Sequence, residues 1–257
     1  MGPLPWIVLA TLASTAVSLL LAAQLSFRWL AGLVDRLVHV SIGLLLATAL
    51  VHIVPETLGS GLAPQAFGWT LLLGILGLFI LEKMTLIHHT HHHEGDRHGH
   101  EHGHDAQEVG RGAVPILVAD AFHNFTDGIV IAAAFLVDLR AGLVTALAVL
   151  AHESPHEIGD FMILLNAGFG RRRSFLFMLL SGAAAVLGGI LGYFLLARMQ
   201  SLLPYALALA AASFMYIALS DLLPELMRRS SLRQSLPDVG YVLAGVGIAL
   251  AAAGIDR

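Results

Sequence analysis

Long apolar blocks, separated by short charged or Pro/Gly-containing stretches, run the whole length of this 257-residue chain. A helix of about 20 apolar residues spans a bilayer, whereas the strands of a membrane barrel are shorter and alternate in polarity. Only 12% of the residues are charged, which is about half the share in soluble domains. The pattern predicts an all-α integral membrane protein with eight transmembrane helices, at 5–27, 37–54, 66–87, 113–137, 141–167, 174–197, 203–226 and 237–255.

The positive charges between these spans predict the orientation, because Lys and Arg accumulate on the cytoplasmic side. With the N-terminus outside, eleven Lys and Arg residues fall inside and only Arg140, Arg198 and Arg257 fall outside. Both termini are therefore expected to be extracytoplasmic. The net charge of −4 and the lack of a basic domain exclude a nucleic-acid-binding protein.

Similar polar segments end spans two and seven, HIVPE at 52–56 and DLLPE at 221–225. In an eight-span chain these two helices run in opposite directions. That arrangement fits an inverted repeat of three helices on either side of a central pair (3+2+3), as in many transporters. Two unrelated Pro-containing helix ends are the alternative. His52, near the outer end of span two, is a further candidate metal ligand.

Ionisable side chains inside the spans concentrate in spans four and five. Such groups are costly in a bilayer and usually face a cavity or a partner. At about 100° per residue, those of span four share one face, and those of span five form a stripe with flanking glutamates. Hydrogen bonding between helices is the alternative to a metal site. The candidates are Asp120, His123, Asn124 and Asp127, together with His152, Glu153, His156, Glu157 and Asp160.

Imidazole and carboxylate ligands without sulfur suit Zn²⁺, and also Fe²⁺, Mn²⁺, Ni²⁺ or Co²⁺. Mg²⁺ and Ca²⁺ prefer oxygen ligands alone, and the absence of Cys excludes a thiolate site. Pro155 leaves the carbonyl of Ala151 without its usual donor, so a kink is expected in this helix. Two facing helices offer three imidazoles and one carboxylate, from His123, Asp127, His152 and His156.

The segment 152–156 is also an HExxH string, in which metalloproteases bind zinc through both His and use the Glu as general base. An intramembrane zinc metalloprotease is therefore an alternative, although Pro155 interrupts the helix that such a motif needs. A non-transporting metal sensor, a metal exporter of the cation-diffusion type and a zinc-dependent hydrolase of the ceramidase sort also stay open.

The string HESPHEIGD at 152–160 resembles the HExPHExGD signature of the histidine-rich subfamily of ZIP (Zrt/Irt-like) metal transporters. HNFTDG at 123–128 is similar to that family's fourth-helix motif, and DLLPE to its seventh-helix ending. The resemblance covers essentially the whole chain. It implies eight helices, external termini and a homodimer that imports divalent metal into the cytoplasm.

The resemblance also implies a metal site midway through the membrane, and the chain departs from the family pattern at two places. Thr126-Asp127 stands where other branches have Pro-Glu, and 175–197 lacks the acidic residue that some members supply. By this resemblance Asn124 and Glu153 would help to hold a second ion, and the transported ion would be bound by His123, Asp127, His152 and His156.

Nine of the fourteen His residues lie between 88 and 104, together with acidic residues and Gly. Such tracts bind metals and do not form a packed core. We expect one transmembrane domain, 1–257, with 88–112 as a His-rich cytosolic loop between spans three and four. The loop is expected to be a low-affinity metal buffer or sensor, and a plain spacer is the alternative.

These features predict a transporter of divalent metal ions that is not an enzyme and has no nucleic-acid partner. Zn²⁺ is the expected substrate, and Fe²⁺, Mn²⁺ and Cd²⁺ are further candidates. The protein is expected to cross a lipid bilayer several times. The absence of Cys and the short N-terminus favour a bacterial inner membrane, and an organelle membrane is expected if the host is a eukaryote.

Overall fold

The computed structural model describes the backbone of residues 2–24, 28–90, 106–227 and 232–253. All regular structure in these ranges is helical, which confirms the predicted all-α class. The α-helices are α1 Pro3–Ala23, α2 Arg28–Ala47, α3 Val54–Gly59, α4 Pro64–Thr90, α5 Ala106–Val137, α6 Leu139–Asn166, α7 Arg171–Arg198, α8 Leu203–Tyr216, α9 Leu223–Met227 and α10 Leu232–Ala253.

Two π-helical segments join four of these helices. The first, π1 (Thr48–Ile53), connects α2 to α3, and the second, π2 (Ile217–Leu222), connects α8 to α9. The residues that flank each segment have right-handed helical backbone angles, so α2–π1–α3 and α8–π2–α9 are each one continuous helix. In the described ranges, each predicted apolar span thus corresponds to one continuous helical segment.

Six helical segments in the described ranges are long and apolar enough to cross a membrane. α6 is not among them, because its segment 152–160 carries two His and three acidic residues. The apolar part of α10, Leu236–Ala252, is shorter than the others. A multi-pass helical membrane protein is therefore confirmed, whereas eight crossings and external termini stay predictions. The six segments are Pro3–Ala23, Arg36–Gly59, Pro64–Leu81, Leu117–Val137, Arg171–Arg198 and Gln200–Ser220.

The two π-helical segments occupy equivalent positions, because each ends within one of the two similar polar segments of the sequence. Their first residues, Thr48 and Ile217, are 169 positions apart, and so are Pro55 and Pro224. π-helical turns are rare and frequently occur at functional sites. Their common register supports the inverted repeat, which remains a prediction.

The helices with the candidate site, α5 and α6, pack against each other and against the first and last thirds of the chain. α5 has its most extensive contact with α7, and α6 with α1. Elsewhere α2 packs mainly on α10, and α4 on α8. An inverted repeat relates the first three spans to the last three and α5 to α6. Under this exchange the contact of α5 with α7 corresponds to that of α6 with α1, and the contact of α2 with α10 corresponds to that of α8 with α4.

Glycines bring α5 and α7 into backbone contact. A Cβ atom on Gly188 would collide with the carbonyl oxygen of Phe125, and one on Gly128 with that of Ala185. Small residues commonly allow such close approach between membrane helices. The helix that carries His123 and Asp127 is therefore fixed on α7.

The predicted His-rich loop, 88–112, falls mostly outside the described residues. Residues 91–105 are not described, whereas 88–90 end α4 and 106–112 begin α5. The tract's proposed role in metal binding stays a prediction.

Candidate metal centre

A short connection places α5 and α6 side by side. Only Asp138 separates the two helices, and its side chain accepts a hydrogen bond of 2.7 Å from the amide of Ala141. An Asp at this position caps the free amides at the start of a helix. The short link keeps the two helices next to each other, and polar side chains of both meet between them.

Four of the predicted site residues converge, His123 and Asp127 from α5 with His152 and Glu153 from α6. Nε2 of His123 lies 3.0 Å from Oε1 of Glu153 and 3.3 Å from Nε2 of His152. Nε2 of His152 lies 3.1 Å from Oδ2 of Asp127 and 3.4 Å from Oε1 of Glu153. His123 Nε2 and Asp127 Oδ2 are 3.9 Å apart.

These separations lie within about 0.3 Å of the edges of a zinc coordination tetrahedron. Zinc lies about 2.0–2.2 Å from imidazole nitrogen and carboxylate oxygen, which corresponds to tetrahedral edges of about 3.3–3.6 Å. Five of the donor–donor distances lie between 3.0 and 3.9 Å, and all the donor atoms lie within 4.8 Å of one another. Two nitrogens and two oxygens therefore have a spacing that could hold one ion.

The ring of His152 is oriented by its other nitrogen, because Nδ1 lies 3.0 Å from the carbonyl oxygen of Ala148. A carbonyl only accepts hydrogen bonds, so Nδ1 carries the proton and Nε2 of the neutral ring has a free lone pair. A hydrogen bond of this kind commonly fixes metal-binding imidazoles. The lone pair is left beside Asp127, where a cation would stabilise both groups.

The carboxylates of Asp127 and Glu153 are buried, and none of their oxygens has a hydrogen-bond partner among the described residues. In the same part of the chain, their ion-pair contacts are with imidazole rings alone. Buried carboxylates are costly unless a cation compensates their charge. The donor set therefore has the chemistry of a cation site.

His156, one of the four predicted ligands, lies beside this donor set. Its ring centroid is 6.1 Å from that of His123 and 6.3 Å from that of His152. Its buried Nε2 atom has no hydrogen-bond partner in the described ranges. Glu153, which the resemblance linked to a second ion, holds the fourth position in the compact set.

Asp120 and Asn124 form a hydrogen-bonded pair one turn earlier on α5. Nδ2 of Asn124 donates to Oδ1 of Asp120 at 3.1 Å and to its backbone oxygen at 3.2 Å. Asp120 also accepts a short hydrogen bond from the hydroxyl of Ser181 on α7. The sixth predicted span thus contributes a hydroxyl group where it has no acidic residue.

The other predicted site residues lie outside the compact set. Glu157 is buried, and its Oε2 has no partner within the described residues, while Asp160 is half-buried. His52 lies in π1, and its Nε2 is also buried without a partner there. In the similar segment 221–225, the side chains of Asp221 and Glu225 fall outside the described part of the structure.

Two further contacts at the site involve residues that the sequence did not single out. The carbonyl of Ala151, which Pro155 leaves without an amide donor, accepts a hydrogen bond of 2.7 Å from Ser41 on α2. The buried ring of Phe214 on α8 meets the His152 ring edge to face, with centroids 6.2 Å apart. Pro155 predicts the free carbonyl but not its donor, and an apolar residue in an apolar span gives no signal.

A protein-family model described as ZIP zinc transporter matches residues 85–253. The matched range contains every predicted site residue except His52 and covers well over half of the chain. It includes all four residues of the compact donor set.

Curated zinc transporters from animals are also similar to this chain. The zinc transporter foi of Drosophila melanogaster is 40% identical over 164 residues, 63% of this chain and 23% of that protein. Zinc transporter ZIP13 of Pongo abelii is 32% identical over 232 residues, 82% of this chain and 64% of that protein. Human zinc transporter ZIP6 is 38% identical over 142 residues, 52% of this chain and 19% of that protein. The chain thus spans less than two thirds of the length of each of these relatives.

Proposed function

Because this chain belongs to the ZIP zinc transporter family, we propose that it carries divalent metal ions, above all zinc, across a membrane into the cytoplasm. The family comprises transporters and not enzymes, in agreement with the prediction that the chain is not an enzyme. The HExxH string is accordingly assigned to ion binding and not to proteolysis.

The observation that carries the proposal is the donor set between α5 and α6. Two imidazole nitrogens and two carboxylate oxygens lie 3.0–3.9 Å apart in five of their pairings. Nitrogen and oxygen donors without sulfur suit Zn²⁺, and Fe²⁺, Mn²⁺ and Cd²⁺ are proposed as further substrates. His156 is proposed as an additional ligand beside the set.

The proposed mechanism is alternating access around this donor set. The ion arrives hydrated, exchanges water for imidazole and carboxylate ligands, and leaves on the cytoplasmic side. Protons must leave the ligands before the metal binds. An inside-negative membrane potential favours inward movement of a divalent ion by about 4.6 kcal/mol per 100 mV, so uptake does not require a further energy source.

The proposed assembly is a homodimer in a lipid bilayer. Each chain would form one transmembrane domain over residues 1–257. The His-rich stretch 88–112, which includes the end of α4 and the start of α5, would buffer metal on the cytoplasmic side. The proposed location is the cell membrane, as a bacterial inner membrane protein, or an organelle membrane in a eukaryotic host.

Zinc uptake into liposomes that contain the purified chain and an enclosed fluorescent chelator tests the proposal. Saturable uptake is expected for the wild type and near-complete loss for the double variant His152→Ala, His156→Ala. Ser154→Ala is a matched control, because its hydroxyl donates within its own helix, to Leu150, at 2.7 Å. Uptake that persists in the double variant would refute the site, and tight binding without uptake would favour a metal sensor.

A further inference from the structure

Ser41 is a fully buried residue of α2 whose hydroxyl group connects α2 to the helix that carries half of the donor set. Its Oγ atom lies 2.7 Å from the carbonyl oxygen of Ala151. Ala151 directly precedes His152 and Glu153. A displacement of this carbonyl therefore moves both ligands that α6 contributes.

Pro155 is the reason that this carbonyl needs a donor from another helix. In a regular helix the amide of residue 155 would donate to the oxygen of Ala151, but proline has no amide proton. A backbone carbonyl without a partner is costly in the membrane interior. In the described part of the chain, Ser41 supplies the hydrogen bond that Pro155 cannot make.

We propose that Ser41 is a positioning residue for the metal site. Its hydrogen bond holds the turn of α6 with His152 and Glu153 against α2, in the arrangement in which their donor atoms meet those of α5. The inference rests on the proposed function, since it takes this donor set as the binding site of the transported ion.

The hydroxyl of Ser41 has a second acceptor, the carbonyl oxygen of Leu37 in its own helix, also at 2.7 Å. A hydroxyl group has one proton and donates to one of the two oxygens at a time. When α6 moves away from α2, Ser41 can therefore donate fully to Leu37. When the helices separate, the carbonyl of Ala151 loses its donor, but the hydroxyl of Ser41 keeps an acceptor in Leu37.

Ser41→Thr and Ser41→Val form a matched pair, because the two side chains have the same shape and only Thr keeps the hydroxyl. Zinc affinity is measured for the full chain in nanodiscs by competition with a fluorescent zinc chelator. The His residues of 88–104 are the same in both variants and cannot produce a difference between them. The Thr variant is expected to bind zinc about 3- to 20-fold more tightly than the Val variant. This factor corresponds to the free energy of one interhelical hydrogen bond in a membrane. Equal affinities would overturn the proposal.

Pro155→Ala provides a second test, because it restores the amide that donates to Ala151. Ser41→Ala is expected to weaken zinc binding about 3- to 20-fold in the wild-type background and less than about twofold in the Pro155→Ala background. Ser154→Ala serves as the control with near wild-type affinity. The same loss in both backgrounds would show that Ser41 does not act through this carbonyl. If Pro155→Ala does not fold, the comparison of Ser41→Thr with Ser41→Val alone tests the role of Ser41.

Two further measurements on the same variants distinguish failure of this proposal from failure of the proposed function. They are the thermal stability of the zinc-free protein and the uptake of zinc. If Thr and Val differ in stability but not in zinc affinity, Ser41 is only a structural residue and the proposal is wrong. A wild type that binds zinc without carrying it refutes the proposed transport, while the affinity comparison still decides the role of Ser41. If the wild type binds no zinc, both the proposed transport and the proposed role of Ser41 are wrong.

Discussion

Nε2 of His152 on α6 lies 3.1 Å from Oδ2 of Asp127 on α5, while Nδ1 of the same ring is held by the carbonyl oxygen of Ala148. Both side chains are almost completely buried. The ring cannot turn without losing its backbone hydrogen bond, so its free nitrogen faces the carboxylate in the absence of an ion. Such preorganisation lowers the cost of binding, because little order remains to be imposed when the ion arrives.

Replacing His152 by Ala removes one donor and the fixed ring. Loss of an outer hydrogen-bond partner alone costs about 10- to 100-fold in metal affinity, so loss of the ligand itself is expected to cost at least about 100-fold. Chelator competition on the purified chain measures the change, with Ser154→Ala as control. A loss of less than about tenfold would contradict the assignment.

Glu153→Gln keeps the size of the side chain and removes its negative charge. Oε1 of Glu153 lies 3.0 Å from His123 and 3.4 Å from His152, so the neutral variant is expected to bind zinc about 10- to 100-fold more weakly. The same competition assay measures this change. Unchanged affinity would place Glu153 outside the ion's ligands, with His156 as the remaining candidate for the fourth position.

Gly188→Ala is expected to destabilise the protein by about 1–3 kcal/mol relative to Gly77→Ala, because overpacking forces backbone shifts. A Cβ at 188 meets the Phe125 carbonyl, whereas one at 77 has no neighbour within 4 Å. Both glycines lie inside helices, so the gain in helix propensity is common to the two variants. Thermal unfolding in detergent makes the comparison, and equal midpoints would contradict the close packing of α5 and α7.

Ser181→Ala removes the hydroxyl that donates to the buried carboxylate of Asp120. Loss of a donor to a buried acceptor is expected to cost about 1–3 kcal/mol of unfolding free energy. Ser18→Ala is the matched control, because Ser18 is also buried and its hydroxyl donates within its own helix, to the carbonyl oxygen of Ser14 or of Thr15. Thermal unfolding without zinc measures both variants. Equal stabilities would mean that α7 does not support the Asp120 and Asn124 pair.

The helical segments and the polar faces could be predicted from the sequence, because a bilayer imposes strict conditions on both. Backbone groups must be satisfied within each segment, so long apolar blocks become helices. Charged side chains must face one another, so the periodicity of Asp120, His123 and Asp127 indicates which face turns inward. These conditions act locally and can be read along the chain.

The choice between Glu153 and His156 in the compact donor set could not be predicted, because it depends on side-chain rotamers. His156 belongs to the predicted stripe on α6 and Glu153 to its flank, and both the donor types and the resemblance favoured His156. The same limit applies to Ser41 and Phe214, whose contacts with α6 depend on the packing of distant helices. The π-helical segments also escaped prediction, although each ends within one of the similar segments 52–56 and 221–225.

Anomalous diffraction at the zinc edge, from crystals of the zinc-loaded chain, tests most directly whether α5 and α6 hold the ion. A peak is expected about 2.0–2.2 Å from Nε2 of His123, Oδ2 of Asp127, Nε2 of His152 and Oε1 of Glu153. A structure in which zinc lies only among the His residues of 88–104, with no peak between the two helices, would contradict this expectation.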